Sequence, residues 1–164
     1  MIELIVLDVD GCLTDGKIIY TGLHEETKAF NVKDGLAIRT WIRMGKQVAI
    51  ITGRTSDVVA RRAKELGVQH LHQGIKDKLT LLKEICDTEK IPMTNVAALG
   101  DDLNDYKMLK MVGDSYTPSN GAKPIRAMVS TVLVSGGGEG AAREMIESIV
   151  EANGETDAFM AFWI

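Results

Sequence analysis

The stretch Ile2-Glu3-Leu4-Ile5-Val6-Leu7-Asp8-Val9-Asp10-Gly11 decides the fold. Ile2, Leu4, Ile5, Val6 and Leu7 make a short, almost unbroken apolar run, the pattern of a strand buried on both faces of a parallel sheet. Two carboxylates, Asp8 and Asp10, follow where that strand ends, and open α/β sheets place their ligands just beyond the carboxyl ends of their strands. Taken alone, Asp-x-Asp-Gly reads equally as a turn whose aspartates cap backbone amides.

Three later elements favour a site over a turn. Val48-Ala49-Ile50-Ile51-Thr52-Gly53 is a second apolar strand, ending in a hydroxyl. Lys78 opens a helical stretch after Gln73-Gly74, and Val96-Ala97-Ala98-Leu99-Gly100-Asp101-Asp102-Leu103-Asn104-Asp105 is a third strand ending in an acidic cluster. Two carboxylates, a hydroxyl, a lysine and further carboxylates can therefore converge along one sheet edge.

Between these anchors, Lys17–Tyr20 and Thr27–Val32, joined by a turn around Gly22, read as a β-hairpin flap spanning about 17–32. Asp34 is positioned to cap a helix running to about Met44 and stopped by Gly45. Helices are predicted over Ser56–Leu66 with Gly67 as C-cap, over Lys76 to about Lys90, over Leu103–Met111 and over Gly140–Ala152. Val68–His72 and Thr131–Val134 read as short strands, and the glycines of Gly136-Gly137-Gly138 as permitting a tight approach to the sheet edge. Strands alternating with helices imply right-handed βαβ units. The expected architecture is a three-layer, Rossmann-like parallel sheet with helices on both faces, in one domain over residues 1–164.

Composition excludes several classes. The net charge is −4 with interspersed signs, and no aromatic–basic interleaving suggests a nucleic-acid surface. No apolar run approaches the ~20 residues of a membrane helix. Met1 leads directly into the first strand without a basic segment or cleavage site, so no signal peptide is read and a cytoplasmic location is expected. Cys12 and Cys86 make neither a disulfide framework nor a metal set, and Cys12 reads as a small hydrophobe beside the acidic motif. Gly136–Gly140 lacks the Lys-Ser/Thr of a P-loop.

The Asp8/Asp10, Thr52, Lys78 and Asp101 elements, in that order, resemble the haloacid dehalogenase superfamily of phosphohydrolases. The resemblance implies Asp8 as covalent nucleophile, Asp10 as general acid and base, Thr52 and Lys78 as phosphate-binding and charge-neutralising groups, and an aspartyl-phosphate intermediate. It also implies Mg²⁺ held by the Asp8 carboxylate, the Asp10 backbone carbonyl and the Asp101 carboxylate, with Asp102 and Asp105 in orienting or helix-capping roles.

Only 41 residues lie between Asp10 and Thr52, and fewer between Thr52 and Lys78, which leaves no room for a separate cap domain. A capless site on a flat edge needs another surface to complete it, and a neighbouring subunit is the economical candidate. The tail, about 153–164, carries Phe159, Met160, Phe162 and Trp163. It reads equally as packing onto its own domain or docking on a neighbour.

Longer strings narrow the resemblance. Asp8–Gly16, Lys28-Ala-Phe-Asn-Val-Lys-Asp-Gly35, Ile51-Thr-Gly-Arg54, His72-Gln-Gly74, Gly100–Asp105 and Gly136–Glu144 resemble the capless phosphatases of 3-deoxy-D-manno-octulosonate 8-phosphate, an eight-carbon lipopolysaccharide precursor. This implies a homotetramer, with Asn31, Val32, Lys33, Asp34, Gly35, Arg39, Gly53, Arg54 and Arg62 joining Asp10, Thr52 and Lys78 on the substrate. Arg suits the sugar carboxylate because its guanidinium binds bidentately. In one group of relatives acting on nine-carbon sialic-type 9-phosphates an acidic residue follows Thr-Gly, so Arg54 favours the octulosonate. A phosphatase for a nine-carbon sialic-type 9-phosphate, a broad sugar phosphatase and a catalytically silent oligomerisation module are the competing expectations. Silent modules should lack the nucleophile or the general acid.

Overall fold

The computed structural model describes residues 1–164. In chain order its elements are β1 (Leu4–Leu7), a hairpin of β2 (Ile19–Gly22) and β3 (Glu25–Thr27), α1 (Val32–Arg43), β4 (Gln47–Ile51), α2 (Asp57–Leu66), β5 (His70–His72) and α3 (Lys78–Glu89). There follow β6 (Val96–Leu99), α4 (Tyr106–Leu109), β7 (Asp114–Thr117), α5 (Lys123–Arg126), β8 (Thr131–Val132), α6 (Ala141–Ala152) and α7 (Thr156–Met160). Six strands form one parallel sheet in the order β5-β4-β1-β6-β7-β8.

Alternation along the strands sorts the core into two layers. Ile5, Leu7, Val48, Ile50, Ala97 and Leu99 face α1, α2 and α6. Leu4, Val6, Ala49, Ile51, Val96 and Ala98 face α3, α4 and α5. Every β1 residue is buried, as its unbroken apolar run requires. The connection after β1 leads to one face and the connection after β6 to the other. These adjacent strands therefore flank a topological switch point, where a crevice opens beyond their carboxyl ends.

Local signals explain most boundaries. Gly67 ends α2 in the left-handed conformation at φ 78°, and the Asp77 carboxylate caps α3 by accepting from the Thr80 amide. Four expectations need correction. The second arm of the hairpin stops at Thr27 and Val32 already belongs to α1, because the Asn31 side chain accepts from the Lys33 amide and caps the helix there. Asp34, expected as that cap, lies inside the first turn instead. The predicted Leu103–Met111 helix is a single tight turn followed by the four-residue α4, since Asp105 turns inward into a polar cluster. Asp114–Thr117, not expected as a strand, pairs with β6 through a sequence too polar to show the buried-strand pattern.

The tail packs on its own chain. Phe159 is buried, Trp163 Nε1 donates to Thr40 Oγ1 at 3.1 Å, and the Arg43 guanidinium lies 4.5 Å from the Phe162 ring centre. Of its two readings, this structure contains the intramolecular one.

Candidate active site

The functional groups predicted from sequence sit along one rim of the sheet. Asp8 continues directly from β1, its amide donating to the Leu99 carbonyl of β6 at 3.1 Å, so its direction is set by both strands. Thr52 is pinned at the end of β4: its amide donates to His72 O and its carbonyl accepts from the Ile75 amide. Lys78 reaches back from the first turn of α3 and Asp101 follows β6 by two residues.

At the centre, Lys78 Nζ lies 2.6 Å from Asp8 Oδ1 and 2.6 Å from Asp105 Oδ1. All three side chains are buried. Asp105 Oδ2 accepts from the Asp101 amide at 3.1 Å, which links the lysine to the acidic loop after β6. Burial opposes the charge on Lys78, yet the two carboxylates overcome it and hold its pKa above the usual lysine value. Burial, reinforced by Asp105 and opposed by Lys78, raises Asp8 to about 7. Asp101 rises to about 6, from burial first and then from Asp105 and Asp102. Carboxylates outnumber cations here, the electrostatic condition that a bound divalent cation relieves.

The donor set agrees with a hard cation. One oxygen each from Asp8 and Asp101 and the Cys12 sulfur lie within 4.8 Å of one another. Burial raises the Cys12 thiol well above its usual pKa, and a hard cation prefers oxygen to sulfur, which leaves the two carboxylate oxygens as the ligands of this set. Gly11 shapes the cradle. Its φ of +94° suits glycine, and a Cβ there would lie 2.0 Å from Asp101 Oδ2.

Asp10 belongs to a second charged group. Its Oδ1 lies 2.5 Å from Lys28 Nζ, and that ammonium is 3.1 Å from Glu26 Oε1. Arg54 joins them, 3.1 Å from Glu26 and 3.9 Å from Asp10. The structure therefore brings Asp8, Asp10, Thr52, Gly53, Arg54, Lys78 and Asp101 to one rim.

The remaining residues form no hydrogen bond or ion pair with this group. Arg62 turns into the groove between α1 and α2, 5.8 Å from the Phe30 ring centre and 3.7 Å from Glu65. It fills the space over Gly35, where a Cβ would meet its guanidinium at 2.2 Å. Asp34 is 2% exposed and accepts from the Arg143 amide of α6 at 2.8 Å, so it serves a helix–helix junction rather than an open mouth. Asn31 caps α1 and reaches Gly138 O at 3.3 Å, while Val32, Lys33 and Arg39 face solvent on α1.

Sequence reasoning left two residues without a role that the structure gives them. Asp105 was read as an orienting or capping group and is the second partner of Lys78. Lys28 stood only inside a matching string, since a lysine at the foot of a hairpin carries no periodic signal that it will be buried.

This fold and this rim define a haloacid dehalogenase-like hydrolase, and residues 71–145 match that family directly. The 3-deoxy-D-manno-octulosonate 8-phosphate phosphatase of Escherichia coli K12 is 39% identical over 156 residues, covering 95% of this chain and 83% of that protein. The enzyme of the same name from Yersinia pestis is 40% identical over 151 residues, covering 92% and 81%. A crystal structure of 3-deoxy-D-manno-octulosonate 8-phosphate phosphatase from Moraxella catarrhalis, in complex with magnesium ion, phosphate ion and KDO, superposes with a TM-score of 0.95 at 44% identity, over 99% of this chain and 94% of that one. The cobalt-bound deoxy-D-mannose-octulosonate 8-phosphate phosphatase of Haemophilus influenzae gives 0.90 at 33% identity, over 93% and 90%. The chain belongs to the haloacid dehalogenase-like hydrolases and, within them, to the family of 3-deoxy-D-manno-octulosonate 8-phosphate phosphatases.

Proposed function

We propose that this chain is a Mg²⁺-dependent phosphohydrolase that cleaves 3-deoxy-D-manno-octulosonate 8-phosphate to the free sugar acid and phosphate. The observation that carries the reading is the buried Asp8–Lys78–Asp105 group beside a second carboxylate, Asp10, at the switch point of the sheet. Relatives of that activity, matching over nearly the whole chain, support it.

In this reading Asp8 Oδ2 attacks phosphorus while Lys78 holds Oδ1. The ester oxygen departs with a proton from Asp10, leaving an aspartyl-phosphate on Asp8. Asp10, now a carboxylate, takes a proton from water as that water attacks phosphorus and frees Asp8. Lys78 stays cationic throughout and balances charge on the phosphoryl group. Thr52, fixed through its backbone, presents its hydroxyl toward the same oxygens. Asp8 and Asp101, with the Asp10 carbonyl, would hold Mg²⁺, which when bound neutralises charge on the phosphoryl oxygens as a Lewis acid. Arg54 recognises the sugar carboxylate in exchange for Glu26.

The reading extends to a homotetramer whose sites are completed by neighbouring subunits, acting in the cytoplasm on a lipopolysaccharide precursor. No helix is long and apolar enough to cross a membrane. Its support on this chain is the exposed apolar surface around the rim, where Leu23 at the flap tip is 93% exposed and Val134 88%. Sedimentation velocity tests the assembly, and a concentration-independent monomer would refute it.

The decisive experiment is phosphate release, with and without Mg²⁺, from 3-deoxy-D-manno-octulosonate 8-phosphate, sialic-type 9-phosphates, hexose 6-phosphates and an aryl phosphate. Preference for the octulosonate, lost in Asp8→Asn and on chelation, is the expected result. Preference for a nine-carbon acid would retain the chemistry and overturn the role given to Arg54. No metal-dependent release from any ester would favour the silent module.

A further inference from the structure

The Asp10 carboxylate is held by the flap rather than by the turn after β1 that carries it. The only hydrogen bond to its carboxylate comes from Lys28, the first residue beyond β3, and its next cation, Arg54, stands 3.9 Å away. The Lys28 side chain is 1% exposed, which is unusual for lysine, and its second partner Glu26 is also on the flap. Asp8 has a different arrangement, in which its lysine comes from α3 and shares Asp105. Two carboxylates two residues apart are thus oriented by two separate lysines, one from the flap and one from α3.

We propose that Lys28 is the positioning residue for Asp10, aiming its carboxyl at the leaving oxygen of the substrate. The inference rests on the phosphatase reading above. Proton delivery demands hydrogen-bond reach between acid and ester oxygen, and a freely rotating carboxyl loses it. In the step concerned, the Asp8 Oδ2–P bond forms as the P–O ester bond breaks. The bonding pair leaves with the ester oxygen, and that oxygen takes the Asp10 proton. Without Lys28, the Asp10 carboxyl is free to swing toward Arg54. Because Lys28 lies at the foot of the hairpin, the flap position and the direction of Asp10 are mechanically joined.

A role confined to anchoring the flap or balancing charge makes a different prediction from a positioning role. Protonation matters most for a poor leaving group such as a sugar alkoxide and least for 4-nitrophenolate. The test compares kcat/KM of the Mg²⁺-loaded full chain and its Lys28→Met variant on 3-deoxy-D-manno-octulosonate 8-phosphate and on a series of aryl phosphates of graded phenol acidity. The expected loss is about a hundredfold on the sugar phosphate and less than about fivefold on 4-nitrophenyl phosphate, the span that general acid catalysis supplies. The aryl series should show a steeper dependence on phenol pKa in the variant than in the wild type. Lys28→Arg, which keeps the charge on a longer planar group, should lose less on the sugar phosphate while keeping the same order of substrates. It also decides the question should Lys28→Met fail to fold. Equal losses on all esters, or no loss, would overturn the assignment. Wild-type protein inert toward every ester would instead overturn the phosphatase reading beneath it.

Discussion

Asp105 Oδ1 lies 2.6 Å from Lys78 Nζ, and both side chains are closed to solvent, at 0% and 1% exposure. This contact makes the lysine a bridge between the strand-end nucleophile and the acidic loop after β6. Removing Asp105 leaves Lys78 paired with Asp8, so the cost comes from the Asp101 amide that loses its acceptor and from the emptied buried space. Asp105→Ala should therefore destabilise the protein by about 1–3 kcal/mol. It should also slow phosphate release, because the Asp101 amide loses its acceptor. Asp105→Asn keeps an acceptor and should cost less in stability. Urea denaturation with an unchanged m-value checks the order, and equal stability for wild type and Asp105→Ala would refute it.

Gly137 shows how closely the glycine-rich loop approaches the turn after β1. A Cβ at this position would lie 1.9 Å from the Gly11 carbonyl oxygen and 2.8 Å from that of Thr14. Its neighbour Gly138 donates to Cys12 O at 3.0 Å. Backbone cannot yield as a flexible side chain can, so Gly137→Ala must push the loop off the turn that presents Asp10. The expected cost is about 1–3 kcal/mol, with a parallel fall in phosphate release. A thermal melt alongside an activity assay measures both, and wild-type behaviour in either would contradict the close approach.

These contacts also show which parts of the molecule could be read from sequence. The apolar runs ending at Leu7, Ile51 and Leu99 are continuous because their strands are covered on both faces, so the sheet and the strand-end site were legible together. Asp114–Thr117 was not, because a strand near the edge of a parallel sheet tolerates Asp, Ser, Tyr and Thr. Asp34 had the composition of a cap but lost that place to Asn31, three residues earlier. The partners of Asp8 and Asp10 depend on residues 70 and 18 positions away, beyond any periodic signal. What the sequence carried was the identity of the groups at the rim, and their pairing came only with the fold.

The tail gives the next prediction. Asn153 Oδ1 accepts from the Ile2 amide at 3.0 Å, which fixes the start of the tail at the beginning of β1. Asp8 stands at the other end of that strand, about 20 Å away by strand rise. Deleting Phe162–Ile164 removes the Trp163–Thr40 hydrogen bond and the Arg43 stacking, and should cost about 1–2 kcal/mol in stability. Turnover in the same sample should remain within about twofold, as expected away from a site. A large loss of kcat with little change in stability would show instead that the tail serves a neighbouring subunit.

Asp34 supplies a dependence on pH that is separate from the catalytic carboxylates. Burial raises its pKa from 3.8 to about 6, against the Arg143 amide and the nearby Arg62, which favour the ionised form. Its Oδ2 has no hydrogen-bond partner although it is buried, so ionisation in the fold is poorly compensated. A folded pKa above the unfolded one means that the native state binds the proton more tightly. The stabilisation is full below about pH 4, declines as pH rises toward about 6, and is gone above that. The change amounts to about 2–3 kcal/mol at most. Asp34→Asn retains an acceptor for the Arg143 amide but cannot ionise. The stability of the variant relative to wild type should therefore rise between pH 4 and pH 6 and stay level from there to pH 8. Urea denaturation of both proteins across this range isolates the effect, because every other titrating group cancels in the difference. Parallel stability profiles would show that the carboxyl is ionised at no cost in the fold, with Arg62 or Arg143 compensating it fully.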